Sequence, residues 1–191
     1  MATATARALG GLLHDLTDDE LLTLTASDNR PSLKKYLAER MKLMWHLVSY
    51  DRSVGLVALI HRAVGSGNIR NVNTNITPEH FSLNGTGIRS VKCRVEAYLD
   101  GETSEEAARR FTAAGYSLGN TADLTGFLHD HPDQVAKWSW VLAISEDSRW
   151  AGSDGGVCVP YASVCGANRR FCLYALRDRL NSSYGVLLLS E

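Results

Sequence analysis

Residues 91–115 read VKCRVEAYLDGETSEEAARRFTAAG, and this stretch decides the fold class. Every second residue of 91–97 is apolar and the residues between are charged, a period of two that predicts a strand with one face in a core. Ser104-Glu-Glu-Ala then opens a helix that runs through Ala114, and Gly115 is a suitable C-terminal cap. A half-buried strand is therefore followed by a helix.

The elements that follow this stretch indicate an α+β fold. Thr121-Ala-Asp-Leu opens another helix that runs to about His129, and Pro132 starts a final turn through Trp138. Helices grouped between a first strand and a run of later strands are typical of α+β proteins. No Gly-rich phosphate loop of the nucleotide-binding folds is present in the sequence. Short apolar runs between turn residues predict the later strands at 141–145, 157–161, 171–176 and 186–190.

Residues 1–67 predict an N-terminal helical region. Thr17-Asp-Asp-Glu20 has the form of a capping box, and Ser32 can cap a second helix whose apolar residues recur at three- and four-residue spacings. Residues 54–64 form a third apolar-periodic segment. We expect the amphipathic helix to pack on its own domain or on a second subunit, so a homo-oligomer through the N-terminal helices is one interpretation.

A polar passage separates this region from the rest of the chain. Residues 68–87 are rich in Asn, Thr and Gly, which favour loops and turns. The sequence therefore predicts two parts, an N-terminal helical region at 1–67 and a second domain at 68–191.

Length, charge and cysteine content limit the class of protein. A chain of 191 residues can bury a proper core without disulfides. Its 20 basic and 21 acidic residues give a net charge of -1, which argues against a dedicated nucleic-acid binder. The four cysteines lack C-x-x-C spacing and the density of a secreted scaffold. With no signal-peptide core and no apolar run long enough to span a bilayer, we expect a cytoplasmic protein without a membrane anchor.

The C-terminal stretch has an unusual alphabet. Lys, Glu, Gln, Met and Trp occur 5, 9, 1, 3 and 4 times in the chain, yet none of them falls within residues 151–190. At the rate of the whole chain, about four or five would be expected there by composition. Such a compositional bias indicates that residues 151–190 have a different role from the rest of the chain.

Order and motifs together resemble a known fold family. The order of elements from Val91 to the C-terminus resembles the C-type-lectin fold, in which first and last strands pair and later strands carry the ligand surface. Ser148-Arg-Trp150, Val157-Cys-Val-Pro-Tyr161 and Tyr184-Gly-Val-Leu-Leu-Leu-Ser-Glu191 look like the closing segments of its formylglycine-generating-enzyme-like branch. Asp147-Ser-Arg149 stands where that branch usually has Gly-Gly before the Trp.

That branch includes variable proteins of diversity-generating retroelements, and the biased alphabet is similar to theirs. In those proteins, adenine-directed mutagenesis converts Asn codons into codons for a set that lacks Lys, Glu, Gln, Met and Trp. The resemblance implies a variable region at about 161–184, a non-enzymatic role without cofactor or metal, and a protein ligand. The expected variable surface consists of Ser163, Cys165, Asn168, Arg170, Cys172, Tyr174, Asp178, Arg179, Asn181, Ser183 and Tyr184.

Within residues 171–176, strand geometry predicts one face that packs on the scaffold and one face that can vary. Phe171, Leu173 and Ala175 can face one way while their neighbours face the other, so one set can hold the scaffold while the other varies. We expect loops at 163–170 and 177–184 to add adaptable polar contacts.

A redox or metal-dependent enzyme is the alternative function. Formylglycine-generating relatives use a cysteine pair to oxidise a substrate cysteine, and Cys165 and Cys172 are the candidates here. That role would require the two thiols to face each other. Unpaired cysteines that behave as small apolar residues are the simpler interpretation.

Metal ions and nucleic acid are two further ligand classes that the sequence could contact. His129-Asp-His131 offers two metal ligands without a third nearby, and acidic residues at 146–154 lack the motifs of calcium-dependent sugar-binding lectins. We therefore expect neither metal nor carbohydrate dependence.

Arginines beside aromatic residues could contact phosphate and stack bases, but Arg also belongs to the biased codon set, and nucleic acid remains the less favoured partner. The residues in question are Arg169, Arg170, Arg177, Arg179, Phe171, Tyr174 and Tyr184.

Overall fold

The structure, a computed structural model, describes residues 45–152 and 155–190. These residues belong to one compact unit that begins at Trp45. The helices expected after Thr17 and Ser32, and the homo-oligomer expected through them, lie outside the described residues.

The α-helices of the described residues end at Val135, and a run of strands follows them. Its α-helices are α1 (Leu56–Val64), α2 (Ser104–Ala113), α3 (Thr121–Asp130) and α4 (Pro132–Val135). The strands are β1 (His46–Asp51), β2 (Ile88–Ala97), β3 (Glu102–Thr103), β4 (Ser117–Leu118), β5 (Val141–Leu142), β6 (Trp150–Ala151), β7 (Val157–Cys165), β8 (Asn168–Ala175), β9 (Arg179–Leu180) and β10 (Gly185–Ser190). The fold is α+β, as the sequence predicts.

Most strands form one mixed sheet in the order β1-β2-β10-β5-β7-β6, with β4 also on β10 and β8 also on β7. β10 runs antiparallel to β2, with Leu187 opposite Val95, and parallel to β5. The first strand of residues 68–191 and the last strand therefore pair. β3 and β9 form a separate two-stranded sheet.

Two layers of helix cover the two faces of this sheet. Leu187 and Leu189 of β10 pack in a cluster with α1 and α3, whereas Val186 and Leu188 pack in a cluster with α2. Alternate side chains of one strand point to opposite faces, so β10 is buried on both sides. We call these the α1 side and the α2 side of the sheet.

The position of α2 is fixed by a cap and a half-buried ion pair. Thr103 and Glu106 form a capping box at its first turn. Arg110 donates two hydrogen bonds of 2.7 Å to the buried carboxylate of Glu102, which also accepts from Leu99 N at 2.9 Å. Burial raises the pKa of Glu102, but these donors outweigh it and hold the pKa below its usual range.

The unit starts earlier than the sequence analysis expects. The sequence places residues 46–64 in the N-terminal helical region, yet they supply β1 and α1, which pack in the same core as β2 and α3. The boundary lies before Trp45 and not at residue 68. β1 was not predicted, because exposed Leu47 breaks the alternation that buried Val48 and Tyr50 would otherwise give.

Two other elements differ in length from their predictions. β5 covers only Val141–Leu142, because Ser145 already leads into a 3₁₀ turn at Glu146–Ser148. β7 continues to Cys165 and β8 begins at Asn168, so the loop expected at 163–170 is wrong and a tight hairpin takes its place. Within the described ranges, no helix has the length and apolar character needed to cross a membrane.

Candidate functional site

The β7–β8 hairpin is the centre of the candidate site. Gly166 and Ala167 form its two-residue loop, with Gly166 at a φ of 59°. A positive φ at the first loop residue alone is the pattern of a type II′ turn, which matches the twist of paired strands. The pairing is continuous, from Cys165 opposite Asn168 to Cys158 opposite Ala175.

This register sorts the hairpin side chains onto two faces. Ser163 lies opposite Arg170 and Tyr161 lies opposite Cys172, and directly opposed residues of antiparallel strands share a face. Six residues of the expected variable surface therefore share the α2 side, which we call the outward face. They are Ser163, Cys165, Asn168, Arg170, Cys172 and Tyr174, all of which are half-buried or exposed.

The opposite face of the hairpin is part of the core. Phe171 lies opposite Ala162, and both side chains are 0 % exposed in the cluster of the α1 side. Val164 and Leu173 pack against the same cluster. The expected scaffold role of Phe171 and Leu173 agrees with this placement.

Residues of α1 and of the segment that follows it hold this inward face. Arg169 donates from Nη1 to the carbonyl of Ala63 at 2.8 Å, and Asn68 donates from Nδ2 to the carbonyl of Ala167 at 3.2 Å. Val72 forms a parallel bridge with Phe171. The hairpin is therefore fixed by α1 and the segment after it, which sequence reasoning did not connect with the site.

Four more residues of the expected surface lie between β8 and β10. Asp178, Arg179, Asn181 and Ser183 are exposed. Asn181 Oδ1 accepts from the backbone N–H of Ser183 at 2.9 Å, and Arg179 donates from Nη1 to the carbonyl of Gly101. This segment is therefore shaped by its own polar bonds and by β9 pairing with β3.

Aromatic rings join the hairpin to this segment. The Trp140 ring stacks on Tyr161 with centroids 4.6 Å apart, and it meets Tyr174 and Tyr184 at 4.9 Å each. Gly185 donates its backbone N–H to the carbonyl of Trp140 at 2.9 Å, which holds the tryptophan beside the last strand. We call Trp140, Tyr161, Tyr174 and Tyr184 the aromatic cluster; all four are half-buried.

Sequence reasoning missed Trp140 and Tyr161 as site residues. Trp140 precedes a short strand and lies outside the biased stretch, so no local pattern relates it to the tyrosines. Tyr161 stands at the start of the expected variable region, and its alternation with Ala162 in β7 could have indicated an outward position.

Tyr161 and Tyr174 of the cluster stay protonated over the physiological range. Burial, with the neighbouring Cys172 thiol, raises the pKa of Tyr161 to about 12. Burial and the Asp178 carboxylate also raise the pKa of Tyr174. Neutral phenols can both donate and accept hydrogen bonds while their rings supply apolar contact area.

The two candidate redox cysteines do not face each other across the strands. Cys165 is opposite Asn168, whereas Cys172 lies four residues further along β8, roughly 13 Å away at about 3.3 Å per residue. A disulfide requires Cα atoms within about 7 Å. Cys172 instead donates a weak hydrogen bond to the carbonyl of Asn71 at 3.5 Å. The geometry therefore does not provide the cysteine pair that the redox alternative needs.

The histidine pair at the end of α3 is occupied by other contacts. His129 accepts from Arg62 at 3.0 Å and bonds Asp130 at 2.7 Å, and His131 bonds the carbonyl of Leu47 at 2.9 Å. Among the residues described, no group of three or more His, Cys, Asp or Glu side chains could hold a metal ion.

The arginines and aromatic residues weighed for nucleic-acid binding are divided between the two faces. Arg169 belongs to the inward face, and Phe171 is fully buried and cannot stack on a base. Arg170, Arg177 and Arg179 are exposed. The set is therefore not a single phosphate-binding stripe.

Comparisons with known proteins give no assignment. No family model matches the chain, and neither the curated proteins nor the solved structures contain a match.

Proposed function

We propose that this chain is a non-enzymatic ligand-binding protein whose outward hairpin face and adjoining loop form a diversified surface for a protein partner. The fold is proposed to be C-type-lectin-like, with residues 161–184 as its variable region. The protein is proposed to act in the cytoplasm without a cofactor, in keeping with its cysteine pattern.

One observation carries the proposal. The six expected variable residues of the hairpin share one accessible face, while Ala162 and Phe171 on the other face are completely buried. A diversified surface needs this separation, because core substitutions are costly whereas surface substitutions are mostly tolerated. The biased alphabet thus coincides with a region where many different side chains can be presented by one backbone.

The chemistry of the outward face favours a protein ligand over a nucleic acid. Exposed Ser, Asn, Asp and Arg side chains surround half-buried tyrosines, a mixture used by adaptable protein-binding loops. Arg169 and Phe171, two of the seven residues weighed for nucleic-acid contact, point away from it.

Site-specific photo-crosslinking in cells of the source organism tests the proposal. A photoreactive phenylalanine analogue replaces Arg170 on the outward face, and in a matched control it replaces Lys92, an exposed residue of β2. We expect position 170 to capture a protein that position 92 does not, and the purified partner to compete for capture. A second variant in which Cys165 and Cys172 are both serine should capture the same protein.

Two results would contradict the proposal. Equal capture at positions 170 and 92 would show that the outward face is not selective. Loss of capture in the double serine variant, together with a thiol-dependent reaction of the captured protein, would support the redox alternative instead.

A further inference from the structure

We infer that three histidines where β1 meets the end of α3 form a pH-sensitive contact, which releases the edge strand β1 in mild acid. They are His46 of β1, His129 of α3 and His131 directly after α3. We call them the histidine cluster. The inference does not depend on the proposed function, because it concerns elements outside the hairpin.

The end of α3 caps the outer edge of β1. β1 is an end strand of the sheet, so within the described residues no strand pairs with that edge. The Leu47 carbonyl instead accepts from His131 Nε2 at 2.9 Å, and the Ser49 backbone N–H donates to Asp130 Oδ2 at 3.2 Å. An unpaired strand edge is a template for pairing with another chain, so release of this contact would expose such an edge.

The hydrogen bonds of His129 require its neutral form. Its Nε2 accepts from Arg62 Nε at 3.0 Å and therefore bears no hydrogen, while its Nδ1 donates to Asp130 at 2.7 Å. A second proton on this ring would have to bind at Nε2. There it would remove the bond to Arg62 and place two cations in contact.

The other two rings are too close to carry charge together without a penalty. The ring centroids of His46 and His131 are 4.8 Å apart, and both rings also contact Phe127. Burial lowers the pKa of His46 below its ordinary value of 6.5, and His131 and Lys137 lower it further, whereas Asp133 opposes them. The folded state therefore favours a neutral His46.

The charges around the cluster balance only while the three rings are neutral. Among the described residues, the ionised side chains that contact or act on these rings are two cations and two carboxylates: Arg62, Lys137, Asp130 and Asp133. Each proton that a ring takes up adds a positive charge to this balanced set. The bonds that His129 and His131 donate survive protonation, so repulsion between cations is what weakens the contact in acid.

The direction of the His46 shift defines the pH window of release. A histidine whose pKa is lowered by folding contributes its full stabilisation above the ordinary value of 6.5, and this is lost as the pH falls through 6.5 towards the folded-state pKa. Each proton taken up on opening multiplies the opening equilibrium constant by about ten for every pH unit in that window.

Amide hydrogen exchange of the complete chain, measured between about pH 8 and about pH 5, tests the inference. After correction for the chemical exchange rate at each pH, protection of the Ser49 amide should fall by about tenfold or more per pH unit below 6.5. Amides of β10, at the centre of the sheet, are the internal control and should keep their protection.

Neutral replacements separate titration from packing. His129→Gln keeps an acceptor for Arg62, and His46→Phe keeps a ring beside Phe127. Each removes one titrating ring and should reduce the acid-induced loss of Ser49 protection by up to about tenfold. His61→Gln removes an exposed histidine of α1 outside the cluster and should leave that loss unchanged.

Three results would overturn the inference. The first is Ser49 protection that stays constant over this range, and the second is an equal loss in the parent and in both cluster variants. The third is a parallel loss in β10, because it would mean global acid unfolding in place of local release. Where a variant does not fold, NMR titration of the ring protons of the parent decides, and a His46 pKa at or above 6.5 would also overturn the inference.

Discussion

Truncating Phe171 should strongly destabilise the folded unit, although Phe171 lies within the stretch whose composition indicates variation. Its side chain is 0 % exposed and packs in the cluster formed with α1 and α3. Replacing a buried Phe by Ala typically costs about 3–5 kcal/mol, from lost burial and from the cavity that remains. A domain of this size is stable by about 5–15 kcal/mol, so Phe171→Ala should remove a large share of the free energy of unfolding.

Arg170→Ala is the matched control, because Arg170 is the preceding residue of β8 and its side chain is exposed on the other face. We expect it to change the free energy of unfolding by less than about 0.5 kcal/mol. In thermal unfolding, Phe171→Ala should lower Tm by roughly 6–20 °C, at about 2–4 °C per kcal/mol.

Urea unfolding followed by tryptophan fluorescence measures both variants. The midpoint should fall for Phe171→Ala with little change in the denaturant slope, and it should stay in place for Arg170→Ala. Equal stability of the two variants would refute the division into an inward and an outward face. A large loss for Arg170→Ala with none for Phe171→Ala would reverse it.

Three other predictions follow from the packing, charges and register of the unit. Gly185→Ala should cost about 1–3 kcal/mol in thermal unfolding or prevent folding, because the added Cβ would lie 2.2 Å from Val95 Cγ1; wild-type stability would contradict this. The depressed pKa of Glu102 means that its ionised form stabilises the fold above the ordinary value of 4.5, and that stability is lost as the pH falls through the folded-state pKa. Glu102→Gln should therefore flatten the acid limb of a stability-versus-pH curve, and an unchanged limb would count against the ion pair. Under a mild oxidant, Cys165 and Cys172 should form no bond with each other, since their register keeps them apart; mass spectrometry that finds this disulfide would disprove the register.

One strand and two helices could be predicted from the sequence, because a two-residue hydrophobic period and a helix cap each depend only on residues close together in the chain. The strand at 91–97 and the helices beginning at Ser104 and Thr121 are present close to their predicted bounds. The α+β class follows from their order, and the strand at 91–97 pairs with the last strand, although β1 precedes it in the chain.

What sequence reasoning missed depends on contacts distant in the chain. β1 was hidden because Leu47 is exposed by 62 % on the solvent face, so the strand lacks a clean alternation. The role of α1 in holding the hairpin rests on contacts such as Arg169 to Ala63, 106 residues apart. Trp140 joins the aromatic cluster through Gly185, which no local pattern connects with it.

The sequence predicts a loop at 163–170 instead of a hairpin, because residue types that favour loops also form the ends of its two strands. The polar residues Ser163, Asn168 and Arg170 predict a loop, yet they occupy the accessible face of paired strands. When the accessible face of a strand carries polar residues selected for binding, the hydropathy pattern of that stretch no longer predicts a strand. The alternation that is lost on the outward face survives on the inward one, at Ala162, Val164 and Phe171.

Comparison of coding sequences tests the central claim of a diversified outward face most directly. A near-copy of the segment coding for residues 161–184 should lie near the gene and a reverse transcriptase, and the two segments should differ at adenine positions of the copy. The differing codons should concentrate on the outward face and loop and spare the codons of Ala162 and Phe171. A complete source genome without such a copy, or a copy whose differences fall equally on inward codons, would contradict the claim.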